Sequence, residues 1–255
     1  MIFGQYFLYC PKIKTMENLE TLHNKGYSNK QISNILKIKE KSVTTLLNRK
    51  GLKSNKADLI ELTQELKDLI IGSIFGDGSF KVDFERGTTR MQFCHSPKQK
   101  EYFLYKYSII EKLGIAGKIK ETRVFNTRYK EGFFDEIRFA TLSNPIFRKF
   151  YESIYINRQR NVTLISKEDI TEKVIAYWYF DDGHICSASY QITCESFNLE
   201  EVEYMTNILV SKFNILCTYD KNNNIYIKKE SINDFNLILS NIDVPSLNYK
   251  IRGSV

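Results

Sequence analysis

Hydrophobic positions follow different periods along this 255-residue chain, beginning with a helical stretch from Thr15 to Leu52. Thr15 is placed to cap a helix carrying Leu19 and Leu22, which stops at Asn24-Lys25-Gly26. Ser28-Asn29-Lys30-Gln31 forms a capping box, a hydroxyl with glutamine three residues later, and opens a short helix bearing Ile32, Ile35 and Leu36. A tight turn through Lys37-Ile38-Lys39 leads to a third helix with Val43, Leu46 and Leu47, ended by Gly51. This order predicts a helix-turn-helix, with Ser33 as the small residue where two helices approach. Lys37 departs from the pattern, because a left-handed turn there would favour glycine. Lys41, Ser42, Thr45 and Asn48 fall on the exposed face of the third helix, the face that contacts bases and phosphates in such motifs. A plain three-helix module with a solvated basic face is the alternative. Residues 1–14 show no clear period, and Lys53-Ser54-Asn55-Lys56 reads as a polar linker.

Beyond the linker, helical spacing from Leu59 leads into Ile70-Ile71-Gly72-Ser73-Ile74-Phe75-Gly76-Asp77-Gly78, and the period then drops to two. Phe80 to Phe84 and Arg90 to Phe93 place apolar residues at every second position, with Lys81, Asp83, Arg90 and Gln92 on the other face. Ser96-Pro97-Lys98-Gln99 starts a helix that runs to about Gly114. Strand-like segments follow at Lys118 to Phe125 and Asp135 to Leu142, joined by a polar stretch. Asn144-Pro145 opens another helix, and residues 157–161 form a polar, basic connection.

The same order then recurs. Asp169-Ile170-Thr171-Glu172 reads as a capping box for a helix ending Ile175-Ala176-Tyr177-Trp178-Tyr179-Phe180-Asp181-Asp182-Gly183. Cys186 to Cys194 alternates, with Ser187, Ser189, Gln191 and Thr193 on one face. Asn198-Leu199-Glu200-Glu201 caps the next helix, Ile215 to Tyr219 and Ile225 to Lys228 form a hairpin around residues 222–224, and Ser231 starts a closing helix. Cys94-x-Ser96 before one helix matches Cys194-x-Ser196 before the other. The pattern predicts an α+β fold built by internal duplication, each copy running helix, strand, strand, helix, strand, strand, helix. The expected divisions are an N-terminal segment and helix-turn-helix over 1–52, a linker over 53–58, a first half over 59–160 and a second half over 161–255.

Composition adds a partner class. The net charge of +7 favours a polyanion, while 42% hydrophobic and 26% charged residues are ordinary for a globular protein. Five cysteines form no CxxC pair, and an odd number argues against a full disulfide framework. Cys94-His95 and His184-Ile185-Cys186 fit no compact four-ligand zinc pattern. No stretch has the apolar length of a membrane span, and Met1 to Cys10 lacks a basic leader and cleavage site. An intracellular, unsecreted protein is expected, in a bacterial or phage-infected cytoplasm or an organelle.

The two apolar stretches carry the candidate chemistry. An aspartate at a helix C-terminus is locally unfavourable because the helix dipole is already negative there. Two in matching positions of a duplicated unit require a reason. Gly72 and Gly76 would let the first helix approach its counterpart closely, against Ala176 and the bulkier Tyr177, bringing Asp77 and Asp182 together at one end of the seam. Paired carboxylates repel unless a proton or cation intervenes, and a hard divalent ion such as Mg²⁺ suits oxygen ligands. Carbonyls of Gly76 and Asp181 would complete the metal set. A divalent ion facing a basic, polar groove points to phosphodiester hydrolysis.

The two stretches resemble the paired signature of LAGLIDADG homing endonucleases in their double-motif, single-chain form. The resemblance spans about residues 59–255 and is strongest from Ile175 to Ile251, with Asp77 and Asp182 at the position of the family's catalytic metal ligand. It implies a saddle of two antiparallel sheets lying in the DNA major groove, a monomer, and a long asymmetric double-stranded target cut on both strands. It also implies one basic catalytic residue per half. Leu247-Asn248-Tyr249-Lys250 points to Lys250, and Arg160, with Arg158 as the alternative, stands where the family usually has lysine. Arg90, Gln92, Arg138, Ser187, Ser189, Gln191, Tyr226 and Lys228 lie on the polar strand faces where family members read bases, and Lys81 shares that polar face. The expected activity is site-specific double-strand cleavage by an intron-encoded or free-standing mobile gene. A non-cleaving transcription regulator and an intron RNA maturase remain alternatives; an intein is disfavoured because no flanking splicing block is visible.

Overall fold

A computed structural model describes residues 11–52, 60–125, 132–187 and 189–253. The expected linker over 53–58 and the polar stretch over 126–131 lie outside them, as do residues 1–10. The chain divides into two units, 1–61 and 62–255.

The first unit holds helices α1 (Pro11–Asn24), α2 (Asn29–Leu36) and α3 (Glu40–Arg49). Helix α1 starts at Pro11, so Thr15 lies inside it rather than at its cap; a first-turn proline needs no N–H partner. The Ser28/Gln31 capping box forms at α2. Lys37 adopts the left-handed conformation that the turn demands, with φ 53°. Ser33 donates its hydroxyl to the Ile38 carbonyl at 2.6 Å, tying α2 to the turn. Leu19, Ile32, Val43 and Leu47 are fully buried together, while Lys41, Ser42, Thr45 and Asn48 are exposed on α3.

The second unit repeats one motif. Helix α4 (Gln64–Phe75), strands β1 (Ser79–Asp83) and β2 (Thr88–His95), helix α5 (Lys100–Lys112), strands β3 (Lys120–Phe125) and β4 (Phe133–Ala140), and helix α6 (Pro145–Ile154) make the first half. A short hairpin, β5 (Tyr155–Ile156) and β6 (Gln159–Arg160), leads out of it. Helix α7 (Glu172–Asp182), strands β7 (Gly183–Cys186) and β8 (Ser189–Ile192), helix α8 (Leu199–Phe213), strands β9 (Cys217–Tyr219) and β10 (Ile225–Ile227), and helix α9 (Ile232–Leu239) make the second. The sheets run β1-β2-β4-β3 and β7-β8-β10-β9, antiparallel and in matching order.

Several local expectations change. Cys186 to Cys194 is not one strand: a turn at Ser187, φ 45°, folds β7 back on β8. Ser187 therefore sits in a turn, where its carbonyl accepts from the Arg252 guanidinium at 2.7 Å. Helix α7 is capped by the Thr171 hydroxyl, accepting from Val174 N at 3.2 Å, not by Asp169. Phe84 lies past the end of β1 and is exposed, with the Arg158 guanidinium over its ring. The basic connection over 157–161 contains the β5–β6 hairpin, turned by Asn157 and Arg158, both at positive φ.

Helices α4 and α7 are apolar nearly all round and are buried accordingly. A Cβ added at Gly72 would stand 2.5 Å from Tyr177 Cβ, and one at Gly76 would stand 2.3 Å from Asp181 Cβ. Close approach of these two helices therefore requires both glycines. Gly76 faces Asp181, so the seam is lopsided: one helix offers bare backbone where the other offers a carboxylate.

Candidate active site

The ends of α4 and α7 place three carboxylates at the foot of the seam. Gly76 terminates α4, its N–H still donating to Gly72 O at 3.1 Å, and Asp77 follows outside the helix. Asp182 is the last residue of α7. Between them Asp181 points inward with its side chain fully buried. Its Oδ2 accepts from Asp77 N at 3.1 Å and its Oδ1 from Lys106 Nζ at 2.6 Å.

The electrostatics of these groups follow from burial and crowding. Burial, with Asp181 nearby, raises Asp77 to about 6. Burial, then Asp181 and Asp77, raises Asp182 to about 8. Nearby cations offset only part of this, Lys106 and Lys250 at Asp77 and Lys250 and Arg160 at Asp182. That deficit is what a cation would relieve, and carboxylate oxygens are donors for a hard divalent ion. The site residues fit such an ion.

Each half also supplies a basic group to a helix end. Arg160 donates to Ile74 O at 2.9 Å and to Ser196 Oγ at 3.0 Å, and stacks on Phe197. Lys250 donates to Phe180 O at 2.7 Å and lies 3.3 Å from Asp181 O. The Asp181 carbonyl expected as a metal ligand is thereby engaged by an ammonium. Burial lowers Lys250 below the usual lysine range, against the pull of Asp181, Asp77 and Asp182.

Sequence reasoning set His95 aside as a zinc ligand and overlooked Lys106 and the Asp181 side chain. The His95 ring is buried at the end of β2, with Nδ1 3.6 Å from Asp77 Oδ2 and 3.4 Å from Gln99 Oε1. Gln99 Oε1 is an acceptor for a proton on Nδ1. Burial, then Lys106, lowers His95 to about 4, so the ring is neutral at physiological pH. Asp77, His95 and Asp181 offer ligand atoms within 4.8 Å of one another, among the described residues. A signal for Lys106 did exist: it stands at helical spacing with Tyr102, Ile109 and Ile110, where an apolar residue belongs.

The strand faces lie where alternation predicted. Arg90 is exposed, Gln92, Arg138, Ser189, Gln191 and Tyr226 are half-buried, and Lys81 and Lys228 are exposed. Lys81 opposes Arg90 across β1–β2, and Arg138 opposes Lys120 across β3–β4. In the second sheet His184, Gln191, Tyr226 and Thr218 form one polar row across the strands.

The sequence model of the LAGLIDADG DNA endonuclease family matches residues 67–235. The chain belongs to that family. It is 30% identical over 177 residues to DNA endonuclease I-ChuI of Chlamydomonas applanata, across 64% of this chain and 79% of that one. It is 27% identical over 220 residues to the cytochrome b mRNA maturase bI2 of Saccharomyces cerevisiae, across 81% of this chain. The chain spans about half the length of that maturase, 51%. The α+β fold is shared with the homing endonuclease I-WcaI bound to its DNA recognition sequence, at TM-score 0.65 and 23% identity, covering 75% of this chain and 88% of that one. Among the described residues no helix is long and apolar enough to cross a membrane.

Proposed function

We propose that this LAGLIDADG protein is a monomeric, site-specific endonuclease that cuts both strands of a long, asymmetric DNA duplex. The observation that carries the reading is the pair of helix-end carboxylates, Asp77 and Asp182, sharing one seam and both raised by desolvation and by the charge of Asp181. Neither is accounted for by folding, since each stands at the negative end of a helix with the Asp181 carboxylate beside it. Asp77 and Asp182 would hold a divalent cation, most simply Mg²⁺, which supplies water activation and charge stabilisation at the scissile phosphate. Lys250 and Arg160 orient the helix ends through backbone carbonyls and bring positive charge to the foot of each helix. The facing cationic pairs Lys81–Arg90 and Lys120–Arg138, Arg138 being also 3.3 Å from Glu136, favour a polyanion lying across the first sheet. The polar row from His184 to Thr218 offers donors and acceptors suited to base edges. The exposed residues Lys41, Ser42, Thr45 and Asn48 of α3 add a second contact whose effective concentration is set by the intervening segment.

The test uses duplex libraries incubated with Mg²⁺ and a plasmid carrying a selected site. Wild-type protein linearises the plasmid, while Asp77→Asn and Asp182→Asn retain binding and lose double-strand cleavage. Full linearisation by either variant refutes the assignment.

A second reading, assistance of intron RNA splicing, is favoured by the likeness to cytochrome b maturases. Splicing of the cognate precursor RNA with and without the protein decides it, because the same basic faces would serve either polymer.

A further inference from the structure

We propose that Asp181 and Lys106 form a buried positioning pair that anchors the backbone of Asp77 and not that of Asp182, so that the two DNA strands are cut by inequivalent sites. This rests on the endonuclease reading above. Asp77 lies beyond Gly76, the cap of α4, so its N–H has left the helix ladder and needs another acceptor. The Asp181 carboxylate, reaching across from α7, provides it at 3.1 Å. Lys106 holds the other oxygen at 2.6 Å, and its ammonium also lies 4.5 Å from the centre of the Tyr102 ring. Both side chains are fully buried. Without Lys106, Asp181 would lose the cation bonded to its carboxylate and repel the group it supports more strongly. With it, the backbone at Asp77 is anchored by a hydrogen-bonded ion pair.

Among the described residues the second half has no equivalent. The signature position of Asp181 is occupied in the first half by Gly76, which has no side chain to reach back, and a Cβ there would collide with Asp181. The spacing that relates Cys94 to Cys194 relates Lys106 to Thr206, whose hydroxyl is buried without a hydrogen-bond partner. It also relates His95, buried beside Asp77, to Glu195, which is exposed. Asp182 lies within α7 and takes its support from the helix itself. The anchor is therefore one-sided, and it acts through Asp77 without touching substrate.

The experiment follows each strand separately on a supercoiled plasmid carrying a site selected by wild-type cleavage, with Asp77→Asn assigning which strand depends on Asp77. Two double variants remove the buried charges together, which avoids stranding one of them. K106M/D181N keeps an oxygen that can accept Asp77 N–H; K106M/D181L keeps the volume and removes the acceptor. In the Leu variant, cleavage of the Asp77-dependent strand is expected to fall about 100-fold while the other strand stays near its wild-type rate, so nicked circles accumulate. The Asn variant is expected to recover about 10-fold of that loss, still with only one strand affected. Equal slowing of both strands, unchanged rates, or no recovery by asparagine overturns the proposal. If the Leu variant fails to fold, the Asn variant decides alone: slowing of one strand supports the pair, and slowing of both or neither refutes it. A library from which the wild type cuts nothing defeats the endonuclease reading itself and this proposal with it, an outcome distinct from symmetric cutting.

Discussion

Asp182, at about 8, and Asp77, at about 6, carry folded-state values above the 3.8 of an ordinary aspartate. The folded chain consequently binds more protons than the unfolded chain between these limits, and stability falls as pH rises through that range. His95 runs the other way: held near 4 against an ordinary 6.5, it adds stability as pH rises through that interval. Above pH 6.5 the histidine contribution is nearly complete, Asp77 is mostly ionised, and among these three groups Asp182 dominates. Without divalent cations the melting temperature should therefore drop between about pH 6.5 and 8.5, more in wild type than in Asp182→Asn. Mg²⁺ should raise the wild-type value most at the alkaline end, because binding to the ionised folded site stabilises by mass action. A cation-independent melting temperature across that range would remove the carboxylates as the source of the effect.

At the scale of elements, the seam between α4 and α7 decides how close the halves come. Replacing a helix-interior glycine by alanine ordinarily stabilises by about 1 kcal/mol. At Gly72 the added Cβ would meet Tyr177 Cβ at 2.5 Å and the Val174 carbonyl at 3.0 Å, where overpacking costs about 1–3 kcal/mol. Clash outweighs propensity, so Gly72→Ala should lower stability, and Gly76→Ala should lower it further by pushing on Asp181. Chemical denaturation measures both. The turn after α2 predicts the opposite sign. Lys37 sits at φ 53°, a conformation costing a non-glycine residue about 1–2 kcal/mol, and the entropy of a glycine in the unfolded chain returns roughly half of that. Lys37→Gly should stabilise the first unit by about 0.5–1 kcal/mol, read from its own unfolding transition.

At the scale of the whole molecule, residues 62–255 contain the duplicated motif with its own core, and residues 1–61 contain a separate one. A chain beginning at Leu62 should retain cooperative unfolding. Its DNA affinity should fall less steeply with salt than that of the full chain, because the contacts proposed for α3 are gone. An unchanged salt slope, measured by titration at several ionic strengths, would mean that α3 makes no phosphate contacts.

Periodicity, caps and self-similarity determined the order of elements, because each depends on neighbours a few residues apart. The switch from helical to alternating spacing placed most strands, and the paired Asp-Gly endings singled out Asp77 and Asp182. The hairpin at Ser187 and the Thr171 cap were misjudged, since alternation continues across a tight turn and several residues near a helix start can serve as caps. What surrounds Asp77 lay beyond such reasoning. Lys106 and His95 come from an intervening helix and strand, and Asp181 from the other half of the chain. Only the packing of α4 against α7 brings them together, because a buried ion pair is defined by the low-dielectric space that two distant segments enclose and by no local pattern in either. The sequence by itself determined which carboxylates end the two helices; the tertiary structure decided that just one of them has a buried lysine and aspartate holding its backbone in place.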